Sequence, residues 1–241
     1  MYKISIKLAG INISLEYRYP ETRYFFSNFE TKEEGKYVVS IVEERFIEEK
    51  NTLFQKFPWK RISQHEIEYN ALYRDIIPIL LEEDIMMFHG VLLSMNGDGY
   101  VFTAPSGTGK STHALLWTET FSDKACIING DKPLLKLTEE GIVAYGSPWT
   151  GKEKIGKNEC VILKNICHIQ RNDTNSIEKV TWCSNTLIWL LNATHFVGRE
   201  ATLPRRISWL KRAQKHLSFY ELKCNINKDA AHIAYNGMNH H

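Results

Sequence analysis

Between Tyr100 and Trp117 the chain reads YVFTAPSGTGKSTHALLW, and this stretch constrains the fold more than any other. Tyr100 to Thr103 is a short apolar run of strand type. Ser111 to Trp117 carries helical spacing. The segment between them, Ala104 to Ser111, matches the phosphate-loop pattern Gly-x-x-x-x-Gly-Lys-Ser with alanine at the first glycine position. The spacing has a physical reason. Gly107 and Gly109 let the backbone curl so that successive N–H groups face phosphate oxygens. A helix opening near Lys110 adds its positive N-terminal end. Lys110 would reach the β- and γ-phosphates, and the Ser111 hydroxyl would ligate Mg²⁺. Pro105, Ser106, Gly107, Thr108, Gly109, Lys110, Ser111 and Thr112 therefore form the candidate nucleotide-binding set. Alanine, the smallest substitute for glycine, weakens the match only slightly. A serine-rich turn ahead of a structural helix is the plainer alternative, and the flanking strand and helix speak against it.

A phosphate loop needs a carboxylate for the metal, and ACIINGDKP supplies one. Cys126 to Asn129 reads as a buried strand with Asp131 just past its carboxyl end, the end that lies beside the phosphates in nucleotide-binding sheets. An aspartate in a turn before Pro133 is the alternative. His89 stands fifteen positions before Ala104, in the first strand of an expected hairpin. Antiparallel return would set it beside the loop, where it could touch the γ-phosphate or act as acid or base. A core histidine satisfied by a carbonyl is the competing reading. The glycine-rich segment GSPWTGKEKIGKN offers Trp149, Lys152 and Glu153 as candidate substrate contacts; a solvated basic turn with a packed tryptophan would look the same.

Around this centre, the pattern predicts a mixture of strands and helices with much antiparallel pairing. Residues 1 to about 60 read as β-rich: KISIKLAGINISLEYRY alternates around Gly10, and KYVVSIVEERF is a further strand. EIEYNALYRDIIPILLEED has helical spacing with Pro78 as a kink or break. Then come hairpins turning at Asn96–Gly97 and near Glu140–Gly141, and a strand pair in CVILKNICHIQRN. SNTLIWLLNATHF and LPRRISWLKRAQKHL read as helices. A strand in SFYELKCNI and a final helix follow. The basic residues Arg205, Arg206, Lys211, Arg212 and Lys215 read as a solvated helix face. With 30 basic and 28 acidic side chains, nothing in the charge calls for nucleic acid or an anionic membrane. No apolar run spans a bilayer and no signal-type run opens the chain, so a cytoplasmic protein is expected. The five cysteines include no Cys-x-x-Cys pair, which argues against a zinc site or a disulfide framework.

HGVLLSMNGDGYVFTAPSGTGKSTHALL and IINGDKPLL together resemble the catalytic domain of HPr kinase/phosphorylase and its wider relatives. AYGSPWTGKEKIGKNECVILKNICHIQR and FYELKCNINKDAAHIAYNGM look like later segments of small stand-alone relatives, so the likeness covers about residues 65 to 238. It implies an α/β fold with a mixed sheet, the phosphoenolpyruvate carboxykinase-like P-loop fold. It also implies a catalytic domain over 65–241, with a small β-rich N-terminal region over 1–64. His89, Lys110, Ser111 and Asp131 carry over, with catalytic roles for His89, Lys110 and Asp131 and metal contacts from Ser111 and Asp131. The implied activity uses ATP and Mg²⁺ to phosphorylate a serine or threonine hydroxyl of a peptide or protein, as in relatives from lasso-peptide clusters. A small-molecule hydroxyl kinase, or a nucleotide-binding recognition module with little turnover, are the alternatives. Where the family has two adjacent aspartates this chain has Gly130–Asp131. The acceptor, the nucleotide base and any self-association are not fixed by the sequence.

Overall fold

The computed structural model describes residues 1–194 and 199–239. The chain divides into two compact units, Met1–Glu83 and Asp84–His241.

In the first unit, β1 (Tyr2–Leu8) and β2 (Ile11–Tyr17) form the hairpin that the alternation predicts, paired from Tyr2 opposite Tyr17 to Leu8 opposite Ile11. β3 (Glu30–Thr31) and β4 (Tyr37–Ser40) complete a sheet of order β3-β1-β2-β4. The strand expected in KYVVSIVEERF stops at Ser40, and α1 (Glu43–Lys56) follows. The region up to residue 64 is therefore less β-rich than expected. Glu- and Lys-rich sequence favours helix, and Phe46 and Leu53, two turns apart, are buried together with Glu49. α2 (Gln64–Glu82) opens with a capping box between Ser63 and Glu66, and Pro78 lies inside it without ending it. This helix was expected to open the catalytic region, but it packs within the first unit. Its fully buried Glu68 accepts hydrogen bonds from the Arg18 N–H at 2.7 Å and the Thr22 hydroxyl at 2.7 Å. A buried carboxylate needs such donors, and they tie α2 to the segment after β2.

The second unit is built on one nine-stranded mixed sheet. Its strands and helices are β5 (Ile85–Met87), β6 (Val91–Met95), β7 (Asp98–Thr103), α3 (Lys110–Phe121), β8 (Ala125–Asn129), β9 (Leu134–Leu137), β10 (Ile142–Tyr145), β11 (Cys160–Arg171), β12 (Ser176–Val180), α4 (Ser184–Ala193), α5 (Arg199–Ala213), β13 (Ser218–Cys224) and α6 (Asp229–Asn239). The order is β5-β9-β10-β11-β7-β6-β8, and β13 pairs with both β11 and β12. CVILKNICHIQRN is one strand rather than a pair. The register slips between Leu163 and Asn165 and then continues, so the polar Lys164–Asn165 step marks a bulge and not a turn. The sequence expected helix through His195 and Phe196; α4 ends at Ala193, and those two residues lie outside the described ones. On α5, Arg206 is buried rather than solvated, and Arg212 is paired with Asp84.

The topology fixes where chemistry can occur. β6 runs antiparallel to both β7 and β8, so β7 and β8 are parallel and their carboxyl ends share one rim of the sheet. β11 is parallel to β7 and also ends there. One face of this rim is covered by α3 and α6, whose contact is an aromatic cluster. Trp117, fully buried, stacks edge-on to Phe102, Phe121 and Tyr235 at ring separations of 5.3, 5.4 and 5.9 Å. Among the described residues no helix is long and apolar enough to cross a membrane.

Candidate active site

The phosphate loop leaves β7 at Thr103 and enters α3 at Lys110. Gly107 has φ +80° and Gly109 has φ +117°, and an added Cβ at either would meet nothing within 4 Å. Glycine is required there for backbone angle and not for space. Ala104 is not among the residues with positive φ, so the alanine in the first glycine position costs no backbone strain. The Lys110 ammonium donates to the carbonyls of Ala104 at 2.9 Å and Pro105 at 3.4 Å, folded back along its own loop. Burial lowers its pKa from the usual lysine value; the carboxylates of Asp131 and Glu153 oppose that fall, and Lys132 adds to it.

Asp131 lies on the same rim, two residues past the end of β8. Asn129 sets its backbone: the Asn129 amide oxygen accepts from the N–H groups of Asp131 at 3.0 Å and Lys132 at 2.7 Å. The Asn129 amide nitrogen is anchored in turn by the Ser147 carbonyl at 3.1 Å. His89 Nε2 stands 3.4 Å from Asp131 Oδ1, and the Lys132 ammonium contacts Asp131 Oδ2. Burial works to raise the Asp131 pKa. Hydrogen bonding from His89 and the charge of Lys132 overcome it and hold the carboxyl well below the usual carboxylate range.

His89 is not in a strand, as the hairpin reading expected, but in the link between β5 and β6. The hairpin nevertheless delivers it to the rim, because Val91 pairs with Phe102. Four backbone-level bonds among the described residues hold the link: the Phe88 N–H donates to the Pro133 carbonyl at 3.0 Å, the Thr103 hydroxyl to the His89 carbonyl at 2.9 Å, the His89 N–H to the Ala193 carbonyl at 2.6 Å, and the Gly90 N–H to the Asp131 carbonyl at 2.9 Å.

The segment after β10 runs back along β8. The Gly130 N–H donates to the Ile155 carbonyl at 2.9 Å and the Lys157 N–H to the Ile128 carbonyl at 3.0 Å. This brings Thr150 to Glu153 next to Asp131. A Cβ on Gly151 would come within 2.9 Å of the Asp131 side chain. Trp149 is buried at 4% exposure, and its backbone N–H donates to the Ser147 hydroxyl at 3.2 Å. Lys152 and Glu153 are exposed. Gly130 has no positive φ. A Cβ there would lie 3.1 Å from the Thr150 carbonyl and 3.6 Å from Glu153 Cβ, so its side-chain position faces this loop.

Arg171 was not legible as a site residue. From the end of β11 it donates to the carbonyls of Thr108, at 2.9 Å, and Gly107, clamping the loop from outside. Only the long-range pairing of β11 with β7 brings it there. Two spaces flank the loop. A cleft of about 510 Å³ borders its second half, lined by Thr108, Gly109, Thr112, Leu116, Ile169 and Ile226 among others. A smaller cavity of about 240 Å³ borders its first residues and His89.

No family model matches the sequence. No curated protein matches it either. Among solved structures, the chain is similar to the HPr(Ser) kinase/phosphatase from Coxiella burnetii. The identity is 9%, the match covers 62% of this chain and 94% of that one, and the TM-score is 0.35. At that TM-score the superposition fixes neither topology nor chemistry.

Proposed function

We propose that the chain is a P-loop kinase of phosphoenolpyruvate carboxykinase-like architecture that transfers the γ-phosphoryl group of ATP to a serine or threonine hydroxyl of a peptide or protein. The observation that carries this reading is the meeting of Lys110, Asp131 and His89 on one sheet rim, at a loop whose Gly107 and Gly109 hold positive φ. The loop's N–H groups and Lys110 would bind the phosphates. Ser111 and Asp131 would hold Mg²⁺. The ionised Asp131 and the Ser111 hydroxyl are the all-oxygen donors this ion favours, and it would neutralise charge on the β- and γ-phosphates.

In the reaction the hydroxyl oxygen bonds to the γ-phosphorus, and the bond from that phosphorus to the β–γ bridging oxygen breaks. ADP leaves and the hydroxyl proton passes to His89. Positioning and charge dominate such transfers, so one base of modest strength suffices. Glu153, beside Gly130 where the resembled family has the first of its two aspartates, keeps a carboxylate near Lys110. A small-molecule acceptor is the second reading, favoured by the small volume of the space next to His89, about 240 Å³.

Titration calorimetry with Mg·ATP tests the nucleotide step. Lys110→Ala is expected to weaken binding by ~10²-fold, the scale of losing charge-assisted hydrogen bonds. Equal affinity in the two proteins would overturn the reading.

A further inference from the structure

The cavity of about 240 Å³ is lined by His89, Ala104, Pro105, His168, Trp189 and Ala193 among others. It is walled by elements that are tied together. His168 on β11 lies directly across from Thr103, the last residue before the loop. Trp189 on α4 packs between His168, with rings 5.3 Å apart and tilted by 31°, and Phe219, edge-on at 6.2 Å. The end of α4 is pinned to the His89 link by the His89–Ala193 backbone bond and a bridge between Phe88 and Thr194. From the other side, buried Arg206 donates to the Leu191 carbonyl at 2.7 Å and to the Thr194 hydroxyl at 3.1 Å. The wall is thus preformed.

Two of its groups are unpaired among the described residues. The Trp189 Nε1 and His168 Nδ1 atoms are buried and have no hydrogen-bond partner there. Burying such groups unpaired is costly, and it is commonly offset by a ligand or ordered water. Burial lowers the His168 pKa, with Glu221 opposing, so the ring is neutral near neutral pH and offers one donor and one acceptor nitrogen. Trp189 Nε1 can only donate.

The two spaces beside the loop also differ in which phosphate they neighbour. A phosphate loop cradles the α- and β-phosphates toward the helix, and its lysine reaches the β- and γ-phosphates. The larger cleft touches Thr108, Gly109 and Thr112, the helix side, and so neighbours the nucleoside end. The smaller one touches Ala104 and Pro105, whose carbonyls hold the Lys110 ammonium, and also His89, and so neighbours the γ-phosphate.

We propose that this smaller cavity is the acceptor pocket, and that Trp189 and His168 recognise a small aliphatic hydroxyl group carrying a neighbouring oxygen acceptor, presented either by a free molecule or by one side chain of a peptide. The inference rests on the kinase reading above. Trp189 donates to the acceptor's second oxygen, His168 completes the polar contact, and the reactive hydroxyl faces His89. That hydroxyl forms the new oxygen–phosphorus bond, gives its proton to His89 and releases ADP. The volume, about 240 Å³, lies below the ~300–1,000 Å³ of ordinary drug-sized sites, which suits an acceptor group smaller than a typical drug-sized ligand.

The test uses the full chain, γ-labelled ATP and a set of probes: glycerol, L-serine, and an acetylated, amidated Gly-Ser-Gly peptide. At least one probe is expected to take phosphate from the wild-type protein, and the free and peptide probes separate the two sources. Trp189→Phe, which keeps the ring and removes the donor, should raise the KM for that probe roughly tenfold, the scale of one hydrogen bond to a buried donor. Its Mg·ATP affinity and melting temperature should stay at wild-type values. Ala193→Leu, which fills the cavity without altering either ring, should lower kcat/KM at least as much. Unchanged KM and kcat/KM in both variants would overturn the pocket assignment, as would Mg·ATP binding without transfer to any probe. Failure of the wild-type protein to bind Mg·ATP would instead overturn the kinase reading beneath it.

Discussion

Asp131 is a carboxylate that the fold keeps ionised while burying much of it, and this determines how it can act. Its folded pKa is lowered, so what it contributes to stability is present above the unfolded value of ~3.9 and is lost only as the pH falls through the lower folded value. Near neutral pH it does not titrate, and it therefore suits a metal better than a proton. Asp131→Asn should abolish the difference between ATP affinities measured with and without Mg²⁺; a Mg²⁺ effect that survives would remove Asp131 from the metal site. On the proposed reading His89 is then the proton acceptor. His89→Ala should keep ATP affinity and lower kcat by ~10²–10⁴-fold, the usual worth of general-base help, and normal turnover on the true acceptor would refute that role. The resemblance to the HPr kinase family sets Gly130 where that family has an aspartate, but does not show what an acid would meet here. Because its Cβ would stand 3.1 Å from the Thr150 carbonyl and near Glu153, Gly130→Asp is expected to lower stability by about 1 kcal/mol without raising turnover. Thermal melts and turnover assays on that variant decide it.

α3, which opens at the proposed phosphate site, also carries a buried titratable group. His113, one turn into the helix, is almost wholly buried. Its Nε2 accepts from Trp117 Nε1 at 3.0 Å, and its ring packs edge-on to Phe102 at 4.7 Å. Burial pushes its pKa down to about 4. The unfolded chain therefore binds a proton near pH 6.5 that the folded chain refuses until about pH 4, so stability is full above ~6.5 and falls as the pH drops across that window, by at most ~3 kcal/mol. His113→Gln keeps an acceptor for Trp117 and cannot titrate; its melting temperature should fall less between pH 6.5 and 4 than that of the wild type. Equal slopes would show that other groups set the acid limit. Elements such as this helix and the β6–β7 hairpin were readable because local pattern and packing agree: alternation, the Asn96–Gly97 turn and glycine chemistry all point the same way. The failures have local causes too. α1 followed too closely on the β-branched run VVSIV to be separated from it. CVILKNICHIQRN reads as two strands because its polar Lys164–Asn165 step looks like a break, whereas it is a bulge with Asn165 buried. β12, SIEKV, is an edge strand paired only with β13, and its mostly exposed side chains leave little alternation to read.

At the scale of the molecule, the candidate residues readable in sequence lie between His89 and Glu153, where chain neighbours become spatial neighbours. Arg171, His168 and Trp189 reach the rim only through the β7–β11 pairing and the docking of α4, so no spacing rule could find them. All of these residues belong to the unit that begins at Asp84. That unit has its own sheet and a core centred on Trp117, Phe102, Tyr100 and Leu222, and a domain of about this size commonly folds alone. The first unit has a separate sheet and its own buried set, Ile6, Ile13, Leu15 and Leu72 among it. If nucleotide binding is a property of the second unit alone, a fragment of residues 84–241 should fold cooperatively and bind Mg·ATP within about threefold of the full chain, a difference under ~0.7 kcal/mol. The Lys110→Ala fragment should lose that binding as the full chain does. A folded fragment without Mg·ATP affinity would mean that the first unit supplies part of the nucleotide site. A fragment that does not fold would mean that the two cores depend on each other. Either result would overturn the assignment of nucleotide binding to residues 84–241 by themselves.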